Sequence, residues 1–210
     1  MKQIGQHTKT REIQAMKMMR NTAMTLGLLC LAACAGNRDL VKTASTGTNH
    51  DVFQEITSGS AAASGYADLQ VYASLKTHRP GIYSANDAHG TADYKMVLNI
   101  DGQVVEMAAD LRGESIEAGM FPDPEAGEGV RYLFKKSIRV KPGTRKVVIA
   151  IPADDLALEH QVTFTEGKSH VIAVKPMYGS KPGQQRPGYG SNSFTEGIKG
   201  LWMILNGKTL

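Results

Sequence analysis

Cysteine is scarce in this chain: only two of its 210 residues are Cys, at Cys30 and Cys34. A disulfide-stabilised fold is therefore excluded for everything beyond residue 34. Long hydrophobic runs are lacking as well. The uncharged, mostly apolar stretch 21–33 has thirteen residues, whereas a membrane-spanning helix needs about 20.

Beyond residue 33 the chain also lacks an excess of charge of either sign. The 24 basic and 20 acidic residues give a formal charge of +4, but residues 1–33 hold five basic residues and one acidic residue. The remainder carries 19 of each. No overall charge favours nucleic acid there, and we expect no nucleic-acid partner.

The N-terminal region has the pattern of a secretory signal: residues 16–20 are basic, 21–33 are apolar, and small residues end the stretch. The sequence LAAC (31–34) resembles the lipobox of bacterial lipoproteins at all four positions. The resemblance implies that the sulfur of Cys34 is acylated and that Cys34 becomes the N-terminus after cleavage. Cys30 would leave with the signal peptide, and the lipid would anchor the protein in a membrane.

The lipoprotein resemblance also divides the chain. In this family an Asp after the cysteine retains the protein in the inner membrane, and Ala35 stands there instead, which favours the outer membrane. Because residues 1–15 lie upstream of the basic stretch, we expect translation to start at Met16, Met18 or Met19. The expected parts are a signal peptide (1–33), a lipidated tether (34–64) and a folded domain (65–210).

The tether is rich in Ala, Ser, Thr, Gly and Asn, a composition typical of flexible linkers. Within it, Val52-Phe53 and Ile56 could form a short helical turn or an early strand. From Tyr66 onward the pattern changes, because apolar and polar residues alternate along YADLQVYASLK (66–76). A period of two predicts a half-buried strand.

Three hairpins are predicted after this strand. In the first (93–108), Asp101-Gly102 suits a type I′ turn and pairs Leu98 with Val105 and Met96 with Met107. The second covers 130–152, with Val140 paired to Arg145, and the third joins strands on either side of 166–168. Residues 110–129 are interpreted as a surface excursion, and 201–205, apolar on both faces, as a central strand.

About eight short strands and no convincing amphipathic helix predict an all-β fold, an antiparallel β-sandwich that is immunoglobulin-like in the loose sense. The segments LNIDG (98–102), KPGTRKVVIAIP (141–152) and TFTEGKSHVIAVKP (163–176) resemble the small envelope β domains called PEGA. This resemblance also implies a β-sandwich.

Motifs for catalysis are absent. None of the histidines beyond residue 34 falls in an HExxH or comparable spacing, and no G-x-S-x-G elbow follows a strand. Asp154-Asp155 could be a carboxylate pair, but a solvated turn after Pro152 is the preferred interpretation. We therefore expect no enzyme activity and no cofactor.

A metal site is not predicted either. The third hairpin would place His160 and His170 about 13 Å apart, too far to share an ion. The acidic stretch DPEAGEG (123–129) matches no EF-hand loop, and a solvated acidic loop explains it.

Two features could bind a ligand. The first is a basic stretch: seven basic residues and no acid lie between Arg131 and Lys146. In the predicted hairpin Arg139 lies opposite Lys146, and such like charges must be offset by internal acids or by an external anion. The candidate anion-binding residues are Lys135, Arg139, Lys141 and Lys146.

The second feature is the loop 178–194, which is longer than most connections in compact domains. Aromatic faces beside hydrogen-bonding side chains suit sugars or extended peptides, although a disordered loop is the alternative. The candidate ligand residues in this loop are Tyr178, Lys181, Arg186 and Tyr189.

Taken as a whole, these patterns predict an outer-membrane lipoprotein with a non-catalytic binding or scaffolding role in the cell envelope. A glycan- or anion-binding surface module is the alternative, and an envelope hydrolase is a third possibility. The expected partners are the membrane, through lipid on Cys34, and an envelope protein or glycan.

Overall fold

The computed structural model describes residues 37–56, 64–81, 85–180 and 193–210. Residues Leu40–Leu210 form one compact unit, and the fold below is that of this unit. The predicted signal peptide and Cys34 lie outside the described residues. The strands are β1 Phe53–Glu55, β2 Ala67–Thr77, β3 Met96–Ile100, β4 Gln103–Met107, β5 Ala109–Ile116, β6 Gly127–Val140, β7 Gly143–Ile151, β8 Leu156–Phe164, β9 Ser169–Tyr178, β10 Ile198–Leu205 and β11 Lys208–Thr209.

These strands form two sheets, which confirms the predicted all-β sandwich. The seven-stranded sheet has the order β1-β6-β2-β9-β10-β11, with β5 also paired to β6, and the four-stranded sheet has the order β4-β3-β7-β8. The strands in the described residues outnumber the eight predicted, and β2 pairs with β9 in parallel. Apolar side chains from both sheets form one core between them.

Alternation along β2 sets the inner face of the larger sheet, as the sequence predicts. Leu69, Val71 and Leu75 are all at most 1% exposed, while the alternate residues 70, 72 and 74 are exposed or partly exposed. β2 pairs with β6 on one edge and with β9 on the other. It is therefore a central strand, and its outward residues lie in the middle of the outer face.

The hairpin of β3 and β4 is also confirmed. Asp101 has φ 47° and Gly102 has φ 89°, and a type I′ turn requires positive φ at both central residues. The register contains both predicted pairs, Leu98–Val105 and Met96–Met107.

The second and third predicted hairpins are wrong. β6 belongs to the seven-stranded sheet and β7 to the four-stranded one, and β8 and β9 are divided in the same way. The turns at 141–143 and 165–168 therefore carry the chain across the sandwich. Alternation specifies which face of a strand is buried but not which strand lies beside it. As a consequence, Arg139 lies opposite Asp68, and Lys146 opposite Gln161.

Part of the predicted tether is folded. Residues 40–44 are helical, and Val41 and Ala44 pack against Val148 and Ala150 on the outer side of the four-stranded sheet. β1 pairs with the end of β6, so the early strand that the sequence allowed at 52–56 is present. The structure thus differs from a tether over 40–56, and residues 57–63 lie outside the description.

Two further segments differ from expectation. Residues 109–116 of the predicted surface excursion form β5, which pairs with the first half of β6. β10 has only the two-residue β11 on its outer side, so it is not a central strand, and Trp202 is 49% exposed. In the parts of the chain that the structure describes, no helix has both the length and the apolar character that a membrane span requires.

Candidate functional site

An open groove of about 790 Å³ lies on the outer face of the seven-stranded sheet. Its floor contains Ser74 from β2, Leu133 from β6 and Ala173 from β9. Two of these side chains are small, and the larger side chains around them extend further from the sheet, which makes this face concave. The volume lies in the range of ordinary ligand sites.

Two lysines stand at this groove beside aromatic rings. Lys135 Nζ lies 5.7 Å from the centroid of the Tyr72 ring, directly across the strand pair. Lys175 lies opposite the half-exposed Trp202. Neither ammonium group forms an ion pair with any described residue, so both are available to an anionic ligand.

One side of the groove is a wall formed by residues 123–125, just before β6. Arg131 holds this wall in place, because its Nη2 lies 2.6 Å from Glu125 Oε2 and 2.7 Å from Glu114 Oε2. The hydrogen bond and charge of Glu125 raise the pKa of Arg131, although burial opposes this. The bond from Arg131 lowers the pKa of Glu114, so Glu114 and Arg131 form a pair of opposite charges at neutral pH.

Tyr178 secures the same wall from the other side. Its hydroxyl donates to Glu125 Oε1 at 2.8 Å and accepts from the Lys76 backbone N–H at 2.7 Å. Burial, followed by the bond to Glu125, raises the pKa of Tyr178 well above its usual value. This residue, predicted as a ligand-binding tyrosine, lines the groove but is only 7% exposed.

Lys76 lies fully buried beneath the wall. Its Nζ donates to the carbonyl oxygens of Glu125 at 2.8 Å and Gly127 at 2.7 Å, and it lies 4.7 Å from the ring centroid of Phe194. Phe194 in turn donates its backbone N–H to the Pro124 carbonyl. The wall is therefore fixed from below before any ligand arrives, which favours binding.

The structure separates the four basic residues predicted as one anion site. Lys135 lies at the groove, whereas Arg139 Nε is 3.5 Å from Asp68, Lys141 pairs with Asp51, and Lys146 Nζ is 3.5 Å from Glu159. The proposed repulsion between Arg139 and Lys146 does not arise, because their strands lie in different sheets. Internal acids offset three of the four charges.

The candidate ligand loop is described only at its ends. Tyr178 is placed as above, and Lys181, Arg186 and Tyr189 lie outside the described residues.

The structure also gathers residues that the sequence analysis did not connect. His78 Nε2 lies 2.8 Å from Asp87 Oδ2, and His89 Nδ1 lies 2.5 Å from Asp87 Oδ1. His89 Nε2 then lies 3.2 Å from Asp154 Oδ1, whose second oxygen accepts from the buried Tyr94 hydroxyl at 2.6 Å. We call these five residues the histidine–aspartate cluster.

Ionisation within this cluster follows from its contacts. Burial alone would raise the pKa of Asp87, but hydrogen bonds from the His89 backbone and the two imidazoles lower it to about 2. Burial opposes the charged form of His89, yet Asp154 and then Asp87 raise its pKa. Burial and Asp154 also raise the pKa of Tyr94 well above its usual value.

The prediction that Asp154 is a solvated turn residue is wrong, because its side chain is only 10% exposed. It belongs to the 3₁₀ helix Pro152–Asp154 between β7 and β8, which the turn signal did not distinguish from an open turn. The sequence signal that could have indicated the histidine–aspartate cluster is the presence of two histidines and one aspartate within the turn-rich stretch 78–89.

Comparison of the chain with protein-family models, with curated proteins and with solved structures gives no match.

Proposed function

We propose that this chain is a lipid-anchored protein of the bacterial outer membrane and that its β-sandwich binds acidic glycans in the groove without catalysis. The signal pattern and the LAAC sequence at 31–34 support the anchor. The observation that carries the binding role is a pair of groove lysines, Lys135 and Lys175, which have no ion-pair partner among the described residues. Lys135 lies over the ring of Tyr72.

The polar groups of the groove are of both signs, which favours a sugar polymer over a simple anion. Asp110 and Asp123 line it together with the two lysines. Carboxylates would repel a purely anionic ligand but accept hydrogen bonds from hydroxyl groups. A glycan containing uronic acids offers hydroxyl donors to the aspartates, carboxylates to the lysines and a ring face to Tyr72.

Non-catalytic binding is supported by what lines the groove. The described lining residues include no histidine and no cysteine, and the carboxylate of Glu125 is occupied by Arg131 and Tyr178. Asp110 and Asp123 also line the groove, and we assign them to hydrogen bonds with sugar hydroxyl groups rather than to proton transfer. An open groove on a rigid sheet suits a long polymer that slides in from the side.

Charge reversal at the two lysines tests the glycan proposal. The double variant Lys135→Glu/Lys175→Glu should bind polygalacturonate at least about tenfold more weakly, because two charge-assisted contacts become repulsive. Affinity is measured by calorimetry with purified protein in detergent, and wild-type binding should weaken as salt is raised.

Lys168→Glu is the matched control, since this lysine is exposed in the β8–β9 turn and does not line the groove. Its affinity for polygalacturonate should equal that of the wild type. Equal binding of polygalacturonate and neutral dextran by the wild type, or equal losses in the control and the double variant, would contradict the proposal.

The lipid anchor is tested separately by Cys34→Ala. We expect the wild type to incorporate an alkyne-labelled palmitate and to sediment with outer membranes. The variant should incorporate no label and should lose its membrane association, whereas Cys30→Ala should behave as the wild type does. Labelling that persists in the Cys34→Ala variant would place the lipid on another residue, and absence of label from the wild type would contradict the anchor.

A further inference from the structure

We propose that His78, Asp87 and His89 bind a divalent transition-metal ion of the zinc class. One ligand atom from each residue lies within 4.8 Å of the other two. Two imidazole nitrogens and one carboxylate oxygen form a ligand set that suits such ions. None of the three residues lines the groove, so this inference does not depend on the glycan proposal.

The spacing of the ligand atoms is close to that of a bound ion. Zinc lies about 2.0–2.1 Å from such ligands, which puts tetrahedral ligand atoms roughly 3.3 Å from one another. The two imidazoles contact different oxygens of Asp87, at 2.8 Å and 2.5 Å, and the three ligand atoms lie within 4.8 Å of one another. On binding to one oxygen, the short contact to it opens and the longest separation closes by up to about 1.5 Å. Small rotations about the side-chain torsion angles of His78 and His89 supply motion of this size.

The surroundings of His89 resemble the support that metal-binding histidines require. A ligating histidine generally donates its second ring N–H to a carboxylate, which fixes the ring and strengthens the metal bond. His89 faces Asp87 with Nδ1 and Asp154 with Nε2. Asp154 is itself fixed by the hydroxyl of Tyr94, whose side chain is buried.

Charge balance favours a divalent ion over protons alone. The two carboxylates of Asp87 and Asp154 carry two negative charges in a cluster whose side chains are 10–18% exposed. A divalent cation bound in the cluster neutralises both charges.

Position in the fold gives the ion a structural consequence. His78 follows β2 of the seven-stranded sheet, whereas Asp154 follows β7 of the four-stranded sheet. The cluster thus joins the ends of the two sheets. Three protein ligands leave a coordination position for water or for an external group.

The test is a titration of the full-length protein, in detergent and with its thiols blocked, with Co²⁺ as a spectroscopic substitute for zinc. We expect visible absorption bands that saturate at one equivalent and are abolished by added Zn²⁺. His78→Gln and His89→Gln should lose the bands. Asp154→Asn should weaken affinity about 10–100-fold while retaining them, because it acts through His89.

His160→Gln is the control, since His160 lies in the middle of β8 and outside the cluster. It should bind Co²⁺ as the wild type does. Absence of the bands in the wild-type protein would overturn the proposal whatever the variants do. Retention of the bands in both His78→Gln and His89→Gln, or their loss in the control, would overturn it as well.

Discussion

Gly129→Ala is expected to destabilise the protein by about 2–3 kcal/mol, although it adds only one methyl group. A Cβ at this position would lie 2.5 Å from the Thr77 carbonyl oxygen, 2.8 Å from a ring carbon of Phe194 and 2.9 Å from Lys76 Cε. The nearest atom belongs to the backbone of a central strand and cannot move aside cheaply. Overpacking of this kind costs roughly 1–3 kcal/mol, and here it meets both backbone and core.

Gly113→Ala is the matched control for this change. Gly113 lies in β5, which pairs with the same strand as Gly129 does, β6, but a Cβ there meets no atom within 4 Å. Since glycine loses more conformational freedom on folding than alanine does, the control should be as stable as the wild type or up to about 1 kcal/mol more stable. Urea denaturation measures both, and equal destabilisation would mean that the close approach at Gly129 does not exist.

Lys76→Met is expected to cost more, about 3–5 kcal/mol. Methionine preserves most of the buried stem but removes the ammonium group from two carbonyl oxygens, those of Glu125 and Gly127. The residue is 0% exposed, so water cannot replace the lost donor without opening the wall. Each unsatisfied buried acceptor costs about 1–3 kcal/mol, and Glu114 loses a neighbouring cation at 3.6 Å.

Lys95→Met is the comparison for this prediction. Lys95 Nζ pairs with Glu106 at 3.0 Å, but both side chains are well exposed, and water replaces the lost partner. Its removal should leave the urea midpoint almost unchanged. If Lys76→Met were as stable as Lys95→Met, the buried ammonium would be replaceable by apolar packing, and the wall would not depend on it.

The parts of the fold that could be predicted from the sequence are those set by neighbours along the chain. Asp101 and Gly102 adopt the positive φ angles of a two-residue turn, so the turn alone determines how β3 and β4 pair. The buried face of β2 follows from alternation in the same way. In both cases the deciding interactions lie within about ten residues.

Pairing between distant strands could not be predicted. The segments around 141–143 and 165–168 read as hairpin turns, yet both cross between the sheets. A strand that continues into a hairpin and one that crosses the sandwich bury the same alternate residues. The two arrangements differ in whether β6 and β9 pair with the next strand in the chain or with β2. That choice depends on residues far away in the sequence.

The candidate sites, too, could be predicted only where they depend on residues close together in the sequence. Lys135 and Tyr178 were identified as possible ligand residues and do line the groove, but the wall and floor come from strands whose pairing was not predicted. The histidine–aspartate cluster depends on Asp154, which lies 65 positions after His89 in the chain. No local spacing contains that contact.

The position of β2 has a kinetic consequence. Its two neighbours begin at Gly127 and Ser169, and Val71 pairs with Ile172 about a hundred residues later. Domains dominated by such distant pairings fold slowly, because long loops must close before the contacts form. During synthesis the first long strand therefore emerges well before either of its partners. One edge stays open to other chains until about two thirds of the polypeptide has been made, and the edge that pairs with β9 stays open for longer.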